Sequence, residues 1–199
     1  ILTGTYFLAQ KYNLILFDFR YFGESEGKYT TAGYHETKDF LAAVQYLKER
    51  NVTNIGALGF SLGAAAILMA NSPDVKAIVS DSSYASIGKM IERSYYIFPG
   101  IIKLPFVYLT KLYSRIFLKI NIEDISPLNE IKKIKVPILF IHGEKDSQIP
   151  VENSKLLYEA SNKNQTTLWI VSGVDHGAAH AYYQREYEKR ILNFFEKNL

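Results

Sequence analysis

The sequence contains no cysteine among its 199 residues. Neither a disulfide nor thiolate chemistry can therefore operate, and any nucleophile must be an oxygen or a nitrogen atom. The net charge is only +3, and the sequence has no basic face or recognition module, so we expect no nucleic acid partner. The remaining composition, with 48% apolar and 22% charged residues, predicts one globular domain with a sizeable core.

Long hydrophobic runs are also lacking. No apolar run approaches the roughly 20 residues that span a bilayer, and no segment resembles a signal peptide. We expect a soluble chain, with the cytoplasm as the favoured compartment. The first residue is Ile1 rather than methionine, and residues 1–12 have the pattern of the end of a helix. We therefore hypothesise that the natural protein carries more chain before Ile1.

Short apolar runs bounded by turn residues alternate with helical patterns along the chain. Each run is short enough for a buried parallel strand. The alternation predicts an α/β fold with a mostly parallel, doubly wound sheet that is covered on both faces. The predicted strands are 14–19, 55–60, 77–80, 138–141 and 168–171, and the predicted helices are 34–50, 62–70, 151–161 and 179–197.

Residues 84–126 break this alternation. The stretch is aromatic, and between Lys89 and Lys119 it holds six cations against the single acid Glu92. A segment of this length within a compact domain usually has its own structure and function. We predict a mostly helical cap at 84–126 on a catalytic core formed by residues 1–83 and 127–199, because insertions beside active sites often serve as lids. The alternative is a helical excursion that only packs on the sheet.

The most informative motif is GFSLG at residues 59–63, between a predicted strand and a helix of small residues. In such a nucleophile elbow the serine occupies a strained turn, and we expect the flanking glycines to be needed because any side chain there would collide with neighbouring elements. The turn leaves the Leu62 backbone N–H free at a helix start, where an oxyanion would form. The motif predicts Ser61 as nucleophile and Leu62 as oxyanion donor.

A serine hydroxyl needs a base, and the base needs a group that orients it. Residues 137–150, PILFIHGEKDSQIP, form a strand and a turn that presents Asp146, and residues 169–177, WIVSGVDHG, place His176 in a loop beside a glycine. We predict Asp146 as the acid and His176 as the base. Asp81, which follows the run 77–80, is the alternative acid. The other histidines have expected structural positions: His142 hydrogen-bonded near the site, His35 facing water and His180 at the surface or in packing.

Two further stretches resemble the α/β-hydrolase superfamily. Residues 18–27, DFRYFGESEG, are similar to the D-x-R-x-x-G-x-S segment after the fourth strand of many esterases, with Asp18 and Arg20 expected to form an ion pair. Residues 134–150 are similar to the I-x-V-P-x-L-x-x-H-G-x-x-D-x-x-x-P stretch that carries the acid of the family. The order serine, aspartate, histidine also matches. The resemblance covers nearly the whole chain and is closest to the serine aminopeptidase, prolyl-oligopeptidase and dienelactone-hydrolase-like branch.

This resemblance implies a serine hydrolase that cleaves carboxylic esters through an acyl-enzyme, without cofactor or metal. Serine peptidase, thioesterase and non-catalytic binding protein are the alternatives. The aromatic cap implies an apolar group in the substrate, and its cations are compatible with an anionic substrate or a membrane surface. The resemblance also implies N-terminal strands that this sequence lacks. One of them would lie between 14–19 and 55–60, and its loop would donate a second oxyanion N–H.

Overall fold

A four-stranded sheet forms the centre of the protein in a computed structural model, which describes residues 2–95 and 98–199. The strands are β1 (Ile55–Phe60), β2 (Val75–Asp81), β3 (Ile138–Gly143) and β4 (Thr166–Val171). Every pair of neighbours is parallel, and the order in the sheet follows the order in the chain. The predicted parallel sheet is therefore confirmed.

Helices account for most of the remaining regular structure. They are α1 (Leu2–Ala9), α2 (Glu36–Lys48), α3 (Leu62–Ala70), α4 (Ile87–Ser94), α5 (Gly100–Tyr113), α6 (Pro127–Glu130), α7 (Glu152–Ala160), α8 (Ala179–Tyr182) and α9 (Gln184–Asn198). The single helix predicted at 179–197 is divided, because Tyr183 has non-helical dihedral angles, with φ −126° and ψ 40°. Among residues 2–95 and 98–199, no helix is long and apolar enough to cross a bilayer.

Helices cover both faces of the sheet. On one face, Ile138 and Phe140 of β3 pack in a cluster with residues of α2, α3 and α7. On the other face, Leu139 and Ile141 of the same strand pack with residues of α1 and α9. Side chains alternate between the two sides of a strand, so burial of both sides requires the continuous apolar runs seen in the sequence.

The strand predicted at 14–19 does not form in the described structure. These residues have no regular secondary structure, and the side chains of Leu14, Ile15, Leu16 and Phe17 are 38–45% exposed. A strand needs a hydrogen-bonded neighbour, and in the described sheet the edge strand β1 pairs only with β2. The apolar run indicated a strand, but no partner strand lies beside it among the described residues.

The stretch 84–126 is largely helical. It contains α4, α5, a π-helical turn at Ser114–Leu118 and a 3₁₀ turn at Ile122–Asp124. Ile120 and Ile125, near its end, pack with Ala65 of α3 and with Ile149, which lies beyond the carboxyl end of β3. The segment is thus anchored at the edge of the sheet where the strands end, while its role as a cap stays a prediction.

Arg20 does not form the predicted ion pair with Asp18. Its guanidinium binds Asp39 on α2 instead, with Nε 2.9 Å from Oδ2 and Nη2 2.5 Å from Oδ1, and the Arg20 backbone N–H donates to the same carboxylate at 3.1 Å. Two guanidinium nitrogens on one carboxylate make a strong, directional contact. The contact fastens the loop that follows residues 14–19 to helix α2.

Glu36 begins α2 and is fully buried. Its carboxylate accepts hydrogen bonds from Thr30 Oγ1 at 2.7 Å, from the Thr31 backbone N–H at 2.8 Å, from the Thr31 hydroxyl, and from the Gly33 N–H at 2.9 Å. Burial by itself would raise the pKa of Glu36, but these donors outweigh it and lower the pKa below its usual value. The ionised carboxylate therefore organises the turn before α2.

His35 does not face water as expected. Its side chain is half-buried against Tyr34, with ring centroids 5.0 Å apart, and Nδ1 is buried without a hydrogen-bond partner among the described residues. Burial, together with the nearby charge of Lys38, lowers the pKa of His35. His35 directly precedes Glu36, and both side chains are turned toward the protein.

Replacing Glu36 by glutamine should lower the free energy of unfolding by about 2–3 kcal/mol at neutral pH, because an amide cannot accept all of these donors. Folding lowers the pKa of this carboxyl group, so its stabilisation is complete above the ordinary glutamate pKa and is lost as the pH falls through the folded value. In urea unfolding, the difference in free energy of unfolding between wild type and Glu36→Gln should therefore become smaller as the pH falls from neutral to about 3. Glu49→Gln, at the exposed end of α2, is the matched control, and a gap independent of pH would contradict the account.

Candidate active site

Ser61 lies in the sharp turn between β1 and α3. Its φ of 52° and ψ of −117° are strained for a residue with a side chain. The Ser61 backbone N–H donates to the carbonyl of Asp81 at the end of β2, at 2.8 Å. This bond to the neighbouring strand holds the turn and places the serine at the carboxyl edge of the sheet.

The two glycines around Ser61 differ in their steric need. A Cβ at Gly59 would lie 2.6 Å from the backbone nitrogen of Ala64 and 2.6 Å from the carbonyl carbon of Gly63, so no side chain fits. A Cβ at Gly63 would meet only Phe19, at an ordinary 3.5 Å. The expectation that both glycines are required by collisions is therefore right for Gly59 and wrong for Gly63, which faces more open space.

The structure brings His176 and Asp146 to Ser61. The imidazole Nε2 lies 3.1 Å from Ser61 Oγ, and Nδ1 lies 2.7 Å from Asp146 Oδ2. Ser61 follows β1, Asp146 follows β3 and His176 follows β4. Because the strands are parallel, their carboxyl ends share one edge, and three residues far apart in sequence form one hydrogen-bonded line.

The carboxylate of Asp146 is surrounded by donors. Its Oδ1 accepts the backbone N–H groups of Gln148 at 3.0 Å and Ile149 at 2.7 Å, while Oδ2 faces His176 and, at 3.2 Å, His142 Nε2. Burial by itself would raise the pKa of Asp146, but the hydrogen bonds from His142, His176 and Ile149 outweigh it and hold the pKa well below its usual range. The group is therefore ionised beside His176.

His142 is fully buried and hydrogen-bonded at the site, as expected. Its Nε2 lies 2.8 Å from the Ile149 carbonyl and 3.2 Å from the Asp146 carboxylate, and Nδ1 lies 2.6 Å from the Ser154 hydroxyl. Both neighbours of Nε2 are acceptors, so in the neutral ring Nε2 carries the proton and Nδ1 accepts from Ser154. The acid loop is thus fixed to the end of β3 and to α7.

Asp81, the alternative acid, is engaged elsewhere. Ser82 Oγ donates to its Oδ1 at 2.8 Å, and the Tyr187 hydroxyl donates to Oδ2 at 2.9 Å. Burial raises the pKa of Asp81 despite these bonds. The geometry therefore favours Asp146 over Asp81 as the partner of His176. His180 packs by its ring against Phe7 and Tyr187 and bonds to Glu188.

The Leu62 backbone N–H lies at the first turn of α3, next to Ser61. Among the described residues it has no hydrogen-bond partner, and the positive end of the helix dipole adds to its attraction for negative charge. The ring of Phe60 lies 4.8 Å from the His176 ring and is 41% exposed. No group of carboxylates and histidines able to hold a metal ion occurs among the residues the structure describes.

Asp175 is a site residue that the sequence analysis missed. Its Oδ1 accepts from the Ser147 N–H at 2.8 Å, from Ser147 Oγ at 2.9 Å and from the His176 N–H at 2.7 Å. The backbone N–H groups of Ser147 and His176 lower the pKa of Asp175, so the carboxylate is charged. A signal was present in the sequence: this acid directly precedes the predicted base, and Ser147 directly follows the predicted acid.

The loops of the acid and the base also meet through their backbones. The Lys145 N–H donates to the Val174 carbonyl at 2.9 Å. A Cβ at Gly143 would lie 2.6 Å from that same carbonyl oxygen, so only glycine allows this approach. The distance between Asp146 and His176 is therefore set by contacts between the two loops and by Asp175.

Comparison with known proteins agrees with this geometry. The model of the prolyl oligopeptidase family matches residues 24–199. The chain belongs to the prolyl oligopeptidase family. The predicted resemblance to α/β-hydrolases is confirmed, since the protein is also 30% identical to the α/β hydrolase domain-containing protein WAV2 of Arabidopsis thaliana, over 94% of this chain and 61% of that protein.

Two further proteins are similar to this chain to a comparable degree. YqkD of Bacillus subtilis is 31% identical over 96% of this chain and 64% of its own length. The chain thus spans 61–64% of these two curated relatives. Among solved structures, the esterase Pf2001 of Pyrococcus furiosus superposes with a TM-score of 0.73 at 27% identity, over 97% of this chain and 74% of that chain.

The two glycines of the elbow should respond oppositely to alanine. Gly59→Ala should lower the free energy of unfolding by on the order of 3 kcal/mol or prevent folding, because the new Cβ overlaps backbone atoms. Gly63→Ala lies in the first turn of a helix with room for a methyl group and should leave stability unchanged or raise it by about 0.5 kcal/mol. Urea unfolding of both variants measures the difference, and equal losses would show that the close approach at Gly59 is not the cause.

Removing the Asp175 carboxylate should disturb the position of His176. We expect Asp175→Ala to lower the maximal rate of Ser61 labelling by a fluorophosphonate on the order of tenfold, with little change in the probe concentration for half-maximal rate. Asp175→Asn should keep most of the rate, because its amide oxygen can still accept the two backbone N–H bonds. Asp74→Ala, at a distant surface ion pair with Lys48, is the control. A rate equal to wild type in Asp175→Ala would contradict this role.

Proposed function

We propose that this member of the prolyl oligopeptidase family is a serine hydrolase that cleaves carboxylic esters, with Ser61, His176 and Asp146 as nucleophile, base and acid. The observation that carries the proposal is the continuous hydrogen-bonded line from Asp146 Oδ2 through the imidazole to Ser61 Oγ, with links of 2.7 and 3.1 Å. A serine hydroxyl becomes an effective nucleophile when an oriented base accepts its proton.

In the first step, Ser61 Oγ attacks the carbonyl carbon of the substrate while His176 Nε2 takes the hydroxyl proton. The carbonyl π bond opens, and its oxygen becomes an oxyanion facing the Leu62 N–H. Asp146 holds Nδ1–H, which fixes the tautomer and stabilises the imidazolium that forms. The oxyanion then collapses, and His176 gives its proton to the leaving alcohol as the ester bond breaks.

In the second step, water releases the acyl group. His176 takes a proton from the water molecule, whose oxygen attacks the acyl carbon of the Ser61 ester. The tetrahedral intermediate again places its charge at the Leu62 N–H, and collapse returns the proton to Ser61 Oγ with release of the acid. The resemblance to α/β-hydrolases implies a second oxyanion donor in addition to the Leu62 N–H, and the proposal includes this donor.

Ester cleavage is favoured by two features. The exposed Phe60 ring beside His176 offers an apolar contact to a substrate, and the similar Pf2001 protein is described as an esterase. Peptide cleavage is the second candidate, because the family is named for oligopeptidases. The two activities share the chemistry of Ser61 and differ in the leaving group, so they are separated by paired ester and amide substrates.

Ser61→Ala should strongly reduce hydrolysis of p-nitrophenyl esters and abolish labelling by a fluorophosphonate probe. The expected loss in kcat is about 10³-fold or more, with any remaining rate arising from substrate binding and the oxyanion donor. Wild type is tested on esters of increasing chain length and on matched anilides. Faster turnover of the anilides would favour the peptidase alternative.

The two candidate acids supply a matched pair of variants. Asp146→Asn should lower kcat by on the order of 10³-fold, because an amide can leave His176 in the wrong tautomer. Asp81→Asn makes the same substitution at the end of the neighbouring strand and should keep catalysis within about tenfold of wild type if the protein remains folded. The reverse ranking would identify Asp81 as the acid and overturn the assignment of Asp146.

A further inference from the structure

Helix α5 meets the protein through a side that combines the buried apolar residue Val107 with polar side chains. Its inward side carries Lys111 and Thr110, and Ser114 continues this side in the π-helical turn. The opposite side carries apolar and aromatic side chains, and we call a set of these that are more than half exposed the outer face. The outer face comprises Ile101 (84% exposed), Leu104 (67%), Tyr108 (65%), Leu109 (56%), Ile116 (57%) and Phe117 (67%).

Specific contacts fix this orientation. Lys111 Nζ lies 2.7 Å from a carboxylate oxygen of Glu123 and 3.5 Å from one of Glu92 on α4, and these carboxylates raise the pKa of Lys111. Thr110 Oγ1 lies 2.9 Å from the Tyr95 hydroxyl. Rolling the helix to bury the outer face would break these bonds and desolvate a lysine. The exposed apolar surface therefore belongs to the folded arrangement of this segment.

Positive charge borders the outer face. Residues 100–118 contain no aspartate or glutamate. Arg115 and Lys119 are exposed, Lys103 is partly exposed, and none of the three has an ion-pair partner within the described parts of the chain. A continuous apolar surface of this kind on a folded protein marks an interaction site, and its free cations define the charge of the partner.

We propose that the outer face of α5 docks on the surface of an anionic lipid bilayer. Helices that lie in the membrane interface combine apolar side chains with lysine and arginine, and tyrosine is favoured at the level of the headgroups. Each cation near an anionic bilayer adds attraction. A second copy is disfavoured, because a two-fold contact through this face would bring the same cations together with no acid between them.

The docked surface is connected to the candidate active site. Near the end of the segment that carries α5, Ile120 and Ile125 pack against Ile149. The Ile149 N–H in turn donates to the Asp146 carboxylate. Docking would therefore attach to the lipid surface a segment that packs at the edge of the sheet where Ser61 lies. The binding itself goes beyond the proposed hydrolysis and does not depend on it.

Vesicle binding by the Ser61→Ala variant tests the proposal without consuming any lipid. Flotation is measured with vesicles of phosphatidylcholine and with vesicles that contain about one third phosphatidylglycerol. We expect binding to the anionic vesicles, weakened by salt. Adding Ile101→Ser, Leu104→Ser and Tyr108→Ser should lower the partition coefficient on the order of tenfold or more, because the apolar contact is lost.

Two further variants separate the contributions. The control Leu41→Ser, Tyr46→Ser and Val52→Ser removes three exposed apolar side chains outside the outer face and should bind like the parent. Arg115→Gln with Lys119→Gln should weaken binding to anionic vesicles on the order of tenfold.

Three results would overturn the proposal. The first is no binding to either kind of vesicle. The second is binding by the variant with Ile101→Ser, Leu104→Ser and Tyr108→Ser, called the outer-face variant, that equals the binding of its parent. The third is a dimer in light scattering that this variant dissociates, which would identify the face as a contact between copies. The outer-face side chains are exposed, so circular dichroism and thermal unfolding should show that the variant keeps its fold. Vesicle binding and esterase activity are read separately, so either proposal can fail while the other stands.

Discussion

The buried carboxylate of Asp146 is the interaction on which the site depends. A charge removed from water must be compensated, and here two imidazoles and two backbone N–H groups compensate it. The same bonds orient His176 and connect the acid loop through His142 to α7. Stability and site geometry are therefore supplied by the same contacts, since any shift of the carboxylate would leave a buried charge without donors.

The parallel sheet provides the frame for that carboxylate. Ser61 follows β1, Asp146 follows β3 and His176 follows β4, so the relative position of the three is set by strand register and by the loops at one edge. The loops then restrict it further, through the Asp175 carboxylate and the close backbone approach at Gly143. Precision at the site comes from short-range loop contacts on a rigid sheet.

Residues 84–126 join this edge to a surface of different character. Its inner side meets the site through Ile149, whereas its outer side exposes apolar residues beside cations that form no ion pair with any residue in 2–95 or 98–199. The inward side of α5 is held against the protein by Glu92 and Glu123, which bind Lys111. Residues 84–126 therefore connect the outer face to the loop that carries Asp146.

The sequence by itself determined the parallel α/β architecture, because apolar runs such as 138–141 have the length and continuity of strands buried on both sides. It also selected Ser61, Asp146 and His176 as candidates, since motif and order are local properties. Only the tertiary structure decided that Arg20 binds Asp39, that 14–19 is unpaired among the described residues, and that Asp175 bridges two loops. These features depend on which groups meet across long sequence separations, and spacing along a chain does not specify partners in space.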